Sequence, residues 1–211
     1  SGGEGMTMVV HISGGPEEKV ETPMIIFQNA SSNYPIRNLP DEVPGVCYRT
    51  GPKGWMDKSR FAEWMEEDRT LRPIDVIRMI AVDNCGGHGP KGHTERIELA
   101  MKNKKVRLLY LPPNATHLVQ AVDSFIIQKL KQLWMAAWNR KKFELIRAEE
   151  YQNASRGASS GSGKLKNPGK SFFLLAAQVV RELNQQRDKD GLNYTQEAMI
   201  RTGQSLDLDG V

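Results

Sequence analysis

Apolar positions along the chain switch between two periods. "MTMVVHI" (Met6 to Ile12) and "TPMIIFQ" (Thr22 to Gln28) are short β-rich runs. The Gly, Pro and charges of "SGGPEEKVE" between them are turn chemistry, so the pair predicts a hairpin. Pro35, Pro40, Pro44, Gly45, Gly51, Pro52 and Gly54 break up residues 29–54 and leave room for one brief strand at "VCYRT". In "MDKSRFAEWMEED", Phe61, Trp64 and Met65 fall at helical spacing and Asp57 stands where a cap belongs, which predicts an amphipathic helix. "VIRMIAV" (Val76 to Val82) is almost wholly apolar and predicts a strand covered on both faces in a parallel sheet. A helix over "TERIELAMKNKK", capped by Thr94 and carrying Ile97, Leu99 and Met101, followed by a strand at "VRLLYL", completes a βαβ unit.

After a break at Pro112 and Pro113, the longest helical pattern runs to about Ala148, with Phe125, Ile126, Leu130, Leu133, Trp134, Ala137 and Trp138 on its apolar side. Residues 151–170 are rich in Gly, Ser and Lys and read as a flexible linker. Two further helices are expected near Ser171 to Asn184 and Thr195 to Arg201. The expected organisation is an α/β body over 1–150, the linker, and a helical tail over 171–211. At 211 residues, one hydrophobic core is expected.

Composition narrows the class. Hydrophobic residues make up 39% and charged residues 26%, the balance of a soluble globular domain. No run is long and apolar enough for a membrane span, and the N-terminus lacks the plan of a signal peptide. The four Asn-x-Ser/Thr sites at Asn29, Asn114, Asn153 and Asn193 are therefore read as chance matches. Cys47 and Cys85 sit in unrelated contexts, which argues for a reducing compartment. The net charge of +4 is unevenly spread: −1 over 1–128, +8 over 129–189 and −3 over 190–211. A basic block behind a near-neutral body suits a polyanion, because Lys and Arg displace counterions from phosphates. Lys129, Lys131, Arg140, Lys141 and Lys142 are its candidate DNA-binding residues, and a solvated helix face is the alternative.

Two apparent signatures fail. The Gly-Lys-Ser at 169–171 has Lys164 where a phosphate-cradling loop needs glycine, and no strand precedes it. Cys85, His88 and His93 offer three metal ligands where structural zinc takes four.

Asp83 is a better candidate. It ends the apolar run "VIRMIAV" and opens onto Gly86 and Gly87, and ligands of open α/β sheets bind beyond the C-terminal ends of parallel strands. Capping of the next segment by Asp83 and Asn84 is the competing reading. Asp123, at the start of the long helix, would face the same sheet end, although an acid in a first helical turn also interacts well with the helix dipole. Paired carboxylates at one sheet edge suit a hard divalent cation and phosphoryl chemistry. Asn84 and His88 are expected to line the same pocket, contacting the substrate or supporting the acids.

"AVDNCGGH" followed by "LPPNATHLVQAVDSFIIQKLK" resembles the second and third acid motifs of DDE superfamily endonucleases and transposases, in the pogo, Tigger and jerky-like branch. "TPMIIFQ", "GPKGWMDKSRFAEWM" and "GLNYTQEAMIRTGQSLDLDG" resemble other parts of that branch, so the resemblance covers most of residues 6–210. It implies an RNase H-like fold: a mixed sheet flanked by helices, with a C-terminal helical extension. It also implies three acids holding two Mg²⁺ or Mn²⁺ ions for DNA strand hydrolysis and transfer, with Asp83 as the second acid and Asp123 as the third. Ala121 stands where the family commonly has Pro. The first acid belongs to a strand expected ahead of Met6, so the reading is of a partial catalytic domain, lacking that strand and inactive as this chain. DNA is the implied partner and the nucleus the implied location, with no membrane, no small-molecule cofactor and homo-oligomerisation left open. A domesticated DNA-binding or chromatin protein without catalysis is the alternative.

Overall fold

A computed structural model describes residues 6–14, 18–83, 93–111, 121–147 and 170–204. Seven strands are described: β1 (Met6–Val9), β2 (Ile12–Ser13), β3 (Lys19–Val20), β4 (Met24–Gln28), β5 (Cys47–Gly51), β6 (Arg78–Val82) and β7 (Val106–Tyr110). The helices are α1 (Lys58–Glu66), α2 (Glu95–Asn103), α3 (Ile127–Arg147), α4 (Lys170–Gln185) and α5 (Tyr194–Arg201), with a π-helical turn at Val122–Ile126 leading into α3.

The expected hairpin forms with a kink. β1 pairs antiparallel with β4 from Met6 opposite Phe27 to Val9 opposite Met24, and β2 and β3 close the connection as a small ladder of their own. β5 lies parallel to β4 on its other side, giving the order β1-β4-β5. β6 and β7 are parallel, Arg78 opposite Val106 through Val82 opposite Tyr110, with α2 between them in sequence. Among the described residues these two sheets do not pair, and β1 and β6 each have a single neighbour.

Alternation of side chains across β4 and β5 sets the layers. Met24 and Cys47 face a core with Phe61, Trp64 and Met65 of α1 and Ile97 of α2. Ile25 and Tyr48 face the opposite way, onto Phe173, Ala176 and Ala177 of α4. Gly45, at φ 81°, lets the chain approach this helix: a Cβ there would lie 3.3 Å from the Ala177 methyl. A third cluster joins Val20 to Ile126, Leu130 and Ala137 on the π turn and α3, to Val179 and Leu183 of α4, and to Ala198 of α5.

The starts of α1 and α2 follow the caps read from sequence, and α5 has a cap that was not. Asp57 accepts from the Arg60 amide (2.8 Å) and Thr94 from the Ile97 amide (3.3 Å), while Asn193 and Gln196 form a reciprocal capping box on α5. Two asparagines fasten the C-terminal helices to the N-terminal ladder. Asn184 accepts from the Val20 amide (2.9 Å) and donates to its carbonyl (2.8 Å), and Asn193 donates to the Glu18 carbonyl (2.8 Å). The expected linker at 151–170 lies outside the described residues except for Lys170, which opens α4.

One expectation fails. β6 is not covered on both faces: Met79 is 68% exposed and Ala81 is exposed, as are Val76 and Ile77 just ahead of the strand. Only the face carrying Ile80 and Val82 packs against the core.

Candidate active site

The βαβ unit puts Asp83 immediately beyond β6, and the Leu111 amide, immediately beyond β7, donates to the Val82 carbonyl (2.9 Å). The chain returns to this sheet end at Ala121 and Val122, which line the same cavity as Asp83. Asp123 follows on the π turn, its end marked by the Ile127 amide donating to the Val122 carbonyl. A π turn widens the helix by one residue per turn and is frequent at functional sites. The Asp123 carboxyl is solvent-open yet held above its usual range, first by partial burial and then by the negative charge of Asp83. Lys131, eight residues and so about two turns along the helix, pulls the other way. The structure thus brings Asp83, Asp123 and Lys131 into one electrostatic neighbourhood.

The cavity extends from Asp83 along the edge of β6 to its start, with a volume of about 740 Å³. Val9 at the end of β1, Val10 and the His11–Gly14 segment line it as well. Arg78 begins β6 and Arg72 precedes it, so two cations lie roughly 17 Å from the acid end, at ~3.3 Å per strand residue. The Arg78 guanidinium donates to the Arg72 carbonyl (2.8 Å), and among the described residues neither side chain has an ion-pair partner. Nothing in the sequence pattern singled these two out, because "LRPIDVIR" reads only as the polar lead into a strand.

His11 lies in the cavity wall, donating from Nε2 to the Thr70 carbonyl (2.9 Å) with its ring edge-on to Trp64 at 5.1 Å. That bond fixes the tautomer: Nε2 carries the proton and Nδ1 keeps a lone pair. Burial lowers the imidazole pKa to about 4. It is a neutral packing group, not an acid-base catalyst poised near neutrality.

Of the other residues singled out from sequence, Asn84 and His88 lie outside the described residues, as does Cys85. His93 bonds the Tyr110 hydroxyl at the end of β7. The five basic candidates all lie on α3, and three of them have intrahelical or aromatic partners. Lys129 stands over the Tyr194 ring (4.9 Å), Lys142 over Trp138 (5.8 Å), and Lys141 pairs with Glu144 (2.9 Å). Arg140 lines a smaller cleft between α3 and α4.

Residues 9–177 match the family profile of the DDE superfamily endonucleases, a span from the last residue of β1 into α4 that includes both acids. The chain belongs to that family. Membership makes this DDE domain a transposase-related nuclease by descent, and its family generally uses divalent metals on nucleic-acid substrates. No solved structure matches the chain. The mixed α/β architecture is compatible with a DDE nuclease, and no described helix is long and apolar enough to cross a membrane. Among the described residues no group of three or more His, Cys, Asp or Glu side chains could hold a metal. Asp83 and Asp123 offer carboxylate oxygens, the donor type that a hard divalent cation takes.

Proposed function

We propose that this domain is the catalytic part of an RNase H-like DNA endonuclease of transposase type, with Asp83 and Asp123 as two of its metal-holding carboxylates. The observation that carries the reading is that Asp83, just beyond β6, and Ala121 and Val122, just ahead of Asp123, line one cavity at the C-terminal end of the parallel β6–β7 pair. A bound pair of divalent ions, Mg²⁺ or Mn²⁺, supplies activation of the attacking oxygen and stabilisation of the leaving one. The protein's part is to aim carboxylate oxygens from a rigid strand end and a helix start at one point. Lys131 moderates the repulsion between the acids, and the basic surplus over 129–189 draws the phosphate backbone towards α3. The family resemblance places the first acid on a strand ahead of Met6. A nuclear location follows from a DNA substrate.

A DNA-binding protein that keeps the scaffold without using the acids is the second reading, favoured by the concentration of basic charge on one helix. Mn²⁺ binding followed by paramagnetic broadening separates the two. Broadening centred on Asp83 and Asp123, abolished by Asp83→Asn or Asp123→Asn, supports the nuclease. The companion assay is nicking of a plasmid in Mn²⁺ by a chain extended upstream, active as wild type and silent with either substitution. Cleavage indifferent to both substitutions would sink the assignment, and DNA binding without metal binding or cleavage would favour the second reading.

A further inference from the structure

α3 has two sides. Leu130, Leu133, Trp134 and Ala137 pack into the cluster that it shares with α4. The other side is uncovered among the described residues: Met135 is 63% exposed, Phe143 62% and Ile146 37%. Steps of four, three, four and four residues put Lys131, Met135, Trp138, Lys142 and Ile146 on one stripe, and Phe143 lies beside it, three residues before Ile146. Apolar side chains thus alternate with cations along ~22 Å of helix, at ~1.5 Å per residue. α3 carries six Lys and Arg against one acid, Glu144, and that acid is off the stripe and paired with Lys141 (2.9 Å). Lys142 stands over the Trp138 ring (5.8 Å), while the Phe143 ring has no aromatic or cationic partner among the described residues.

We infer that this side of α3 is a stacking platform for unpaired DNA, on which the cations hold the phosphates of one strand and Phe143 takes a base. Apolar side chains this exposed gain nothing from phosphates, and a duplex keeps its base faces stacked inside. A single strand offers phosphates and base faces together, and an alternation of cations with apolar and aromatic groups answers both. A second copy of the chain would instead set Lys131 and Lys142 against like charges, with no acid on the stripe to offset them. The stripe is as long as about six nucleotides at ~3.4 Å each. Its first cation, Lys131, is the one whose charge Asp123 senses, so a strand lying on the stripe leads to the acids. The choice of DNA over an acidic protein helix rests on the nuclease reading, to which the platform adds that the strand reaches the acids unpaired.

The test is binding of a labelled oligo(dT) about eight nucleotides long to the full chain in EDTA, with a hairpin duplex as the comparison. Without metal, its outcome does not depend on whether Asp83 and Asp123 hold ions. Phe143→Ala should weaken oligo(dT) binding about tenfold and leave the slope of log affinity against log salt unchanged, since stacking releases no counterions. Phe143→Trp should restore the affinity, with a fluorescence that oligo(dT) quenches beyond the wild-type response. Duplex binding should change less than about twofold in either variant. Oligo(dT) affinity unmoved by Phe143→Ala overturns the inference, as does an equal loss for single strand and duplex. A wild-type dimer that Phe143→Ala dissociates overturns it too, making a second copy the occupant, and so does an acidic helical peptide that binds α3 more tightly than oligo(dT). If the platform binds as described and an upstream-extended chain still cannot cut, the nuclease reading falls and the platform stands.

Discussion

Acid should weaken this protein through His11 before it reaches the carboxylates. The imidazole titrates near 6.5 in an unfolded chain and is lowered to about 4 in the fold, chiefly by burial. The Glu21 charge and the Thr70 bond oppose that fall, and the Arg78 charge adds to it. Because the folded value is the lower one, the unfolded state takes up the proton first. The stability is fully present above about pH 6.5 and is lost as pH falls towards 4. At ~1.36 kcal/mol per pKa unit, the loss between pH 7 and pH 4 is about 3 kcal/mol, a large share of the 5–15 kcal/mol typical of a domain. His11→Gln keeps a side-chain donor for the Thr70 carbonyl and removes the titration. The assay is urea unfolding of both proteins at a series of pH values, taken as the difference between them so that titrations common to both cancel. The wild-type advantage over His11→Gln should shrink by about 3 kcal/mol from pH 7 to pH 4. If the two stability curves run parallel, His11 is not buried as a neutral group, and the wall of the cavity is wetter than described.

Three more expectations concern separate parts of the molecule. Asp83→Asn should lower the titration midpoint of the Asp123 carboxyl, followed by its carbon resonance; an unmoved midpoint would mean the two acids do not sense each other. Replacing Lys141 and Lys142 with Ala should weaken DNA binding and reduce the slope of log affinity against log salt by about 2, and an unchanged slope would leave those lysines as solubilising groups. Asn184→Leu leaves the Val20 amide and carbonyl unpaired and should cost about 2–3 kcal/mol in thermal or urea unfolding, where a cost near zero would show that water replaces the side chain without loss.

What the sequence made legible were features with short-range causes. Asp57 and Thr94 bond amides three residues on, so two helix starts could be read from them, whereas the cap at Asn193 was read only as a chance Asn-x-Ser/Thr match. Asp83 at a sheet end follows from the length of an apolar run, and the charge that Asp123 feels from it is a product of βαβ topology. The exposure of Met79 was not legible, because an apolar strand buried on both faces and one buried on a single face have the same composition. The π turn at Val122–Ile126 has no signature in residue type. Lys129, Lys141 and Lys142 counted towards a basic block in the sequence, yet their partners Tyr194, Glu144 and Trp138 show part of that charge engaged within the protein. Cys47 looked unremarkable and proved to be a buried thiol, its pKa pushed up to about 12 by burial, and so inert towards oxidants.

The bonds from Asn184 to Val20 and from Asn193 to Glu18 span 164 and 175 residues of chain. A ribosome adding ~5–20 residues per second needs roughly ten to thirty seconds to supply the second partner after the first has emerged. During that interval Ile25 and Tyr48 await the Phe173 helix that will cover them. One side of the first sheet therefore stays bare from the synthesis of β5 until that of α4, and the yield in a cell should depend on chaperones that shield that side until α4 leaves the exit tunnel.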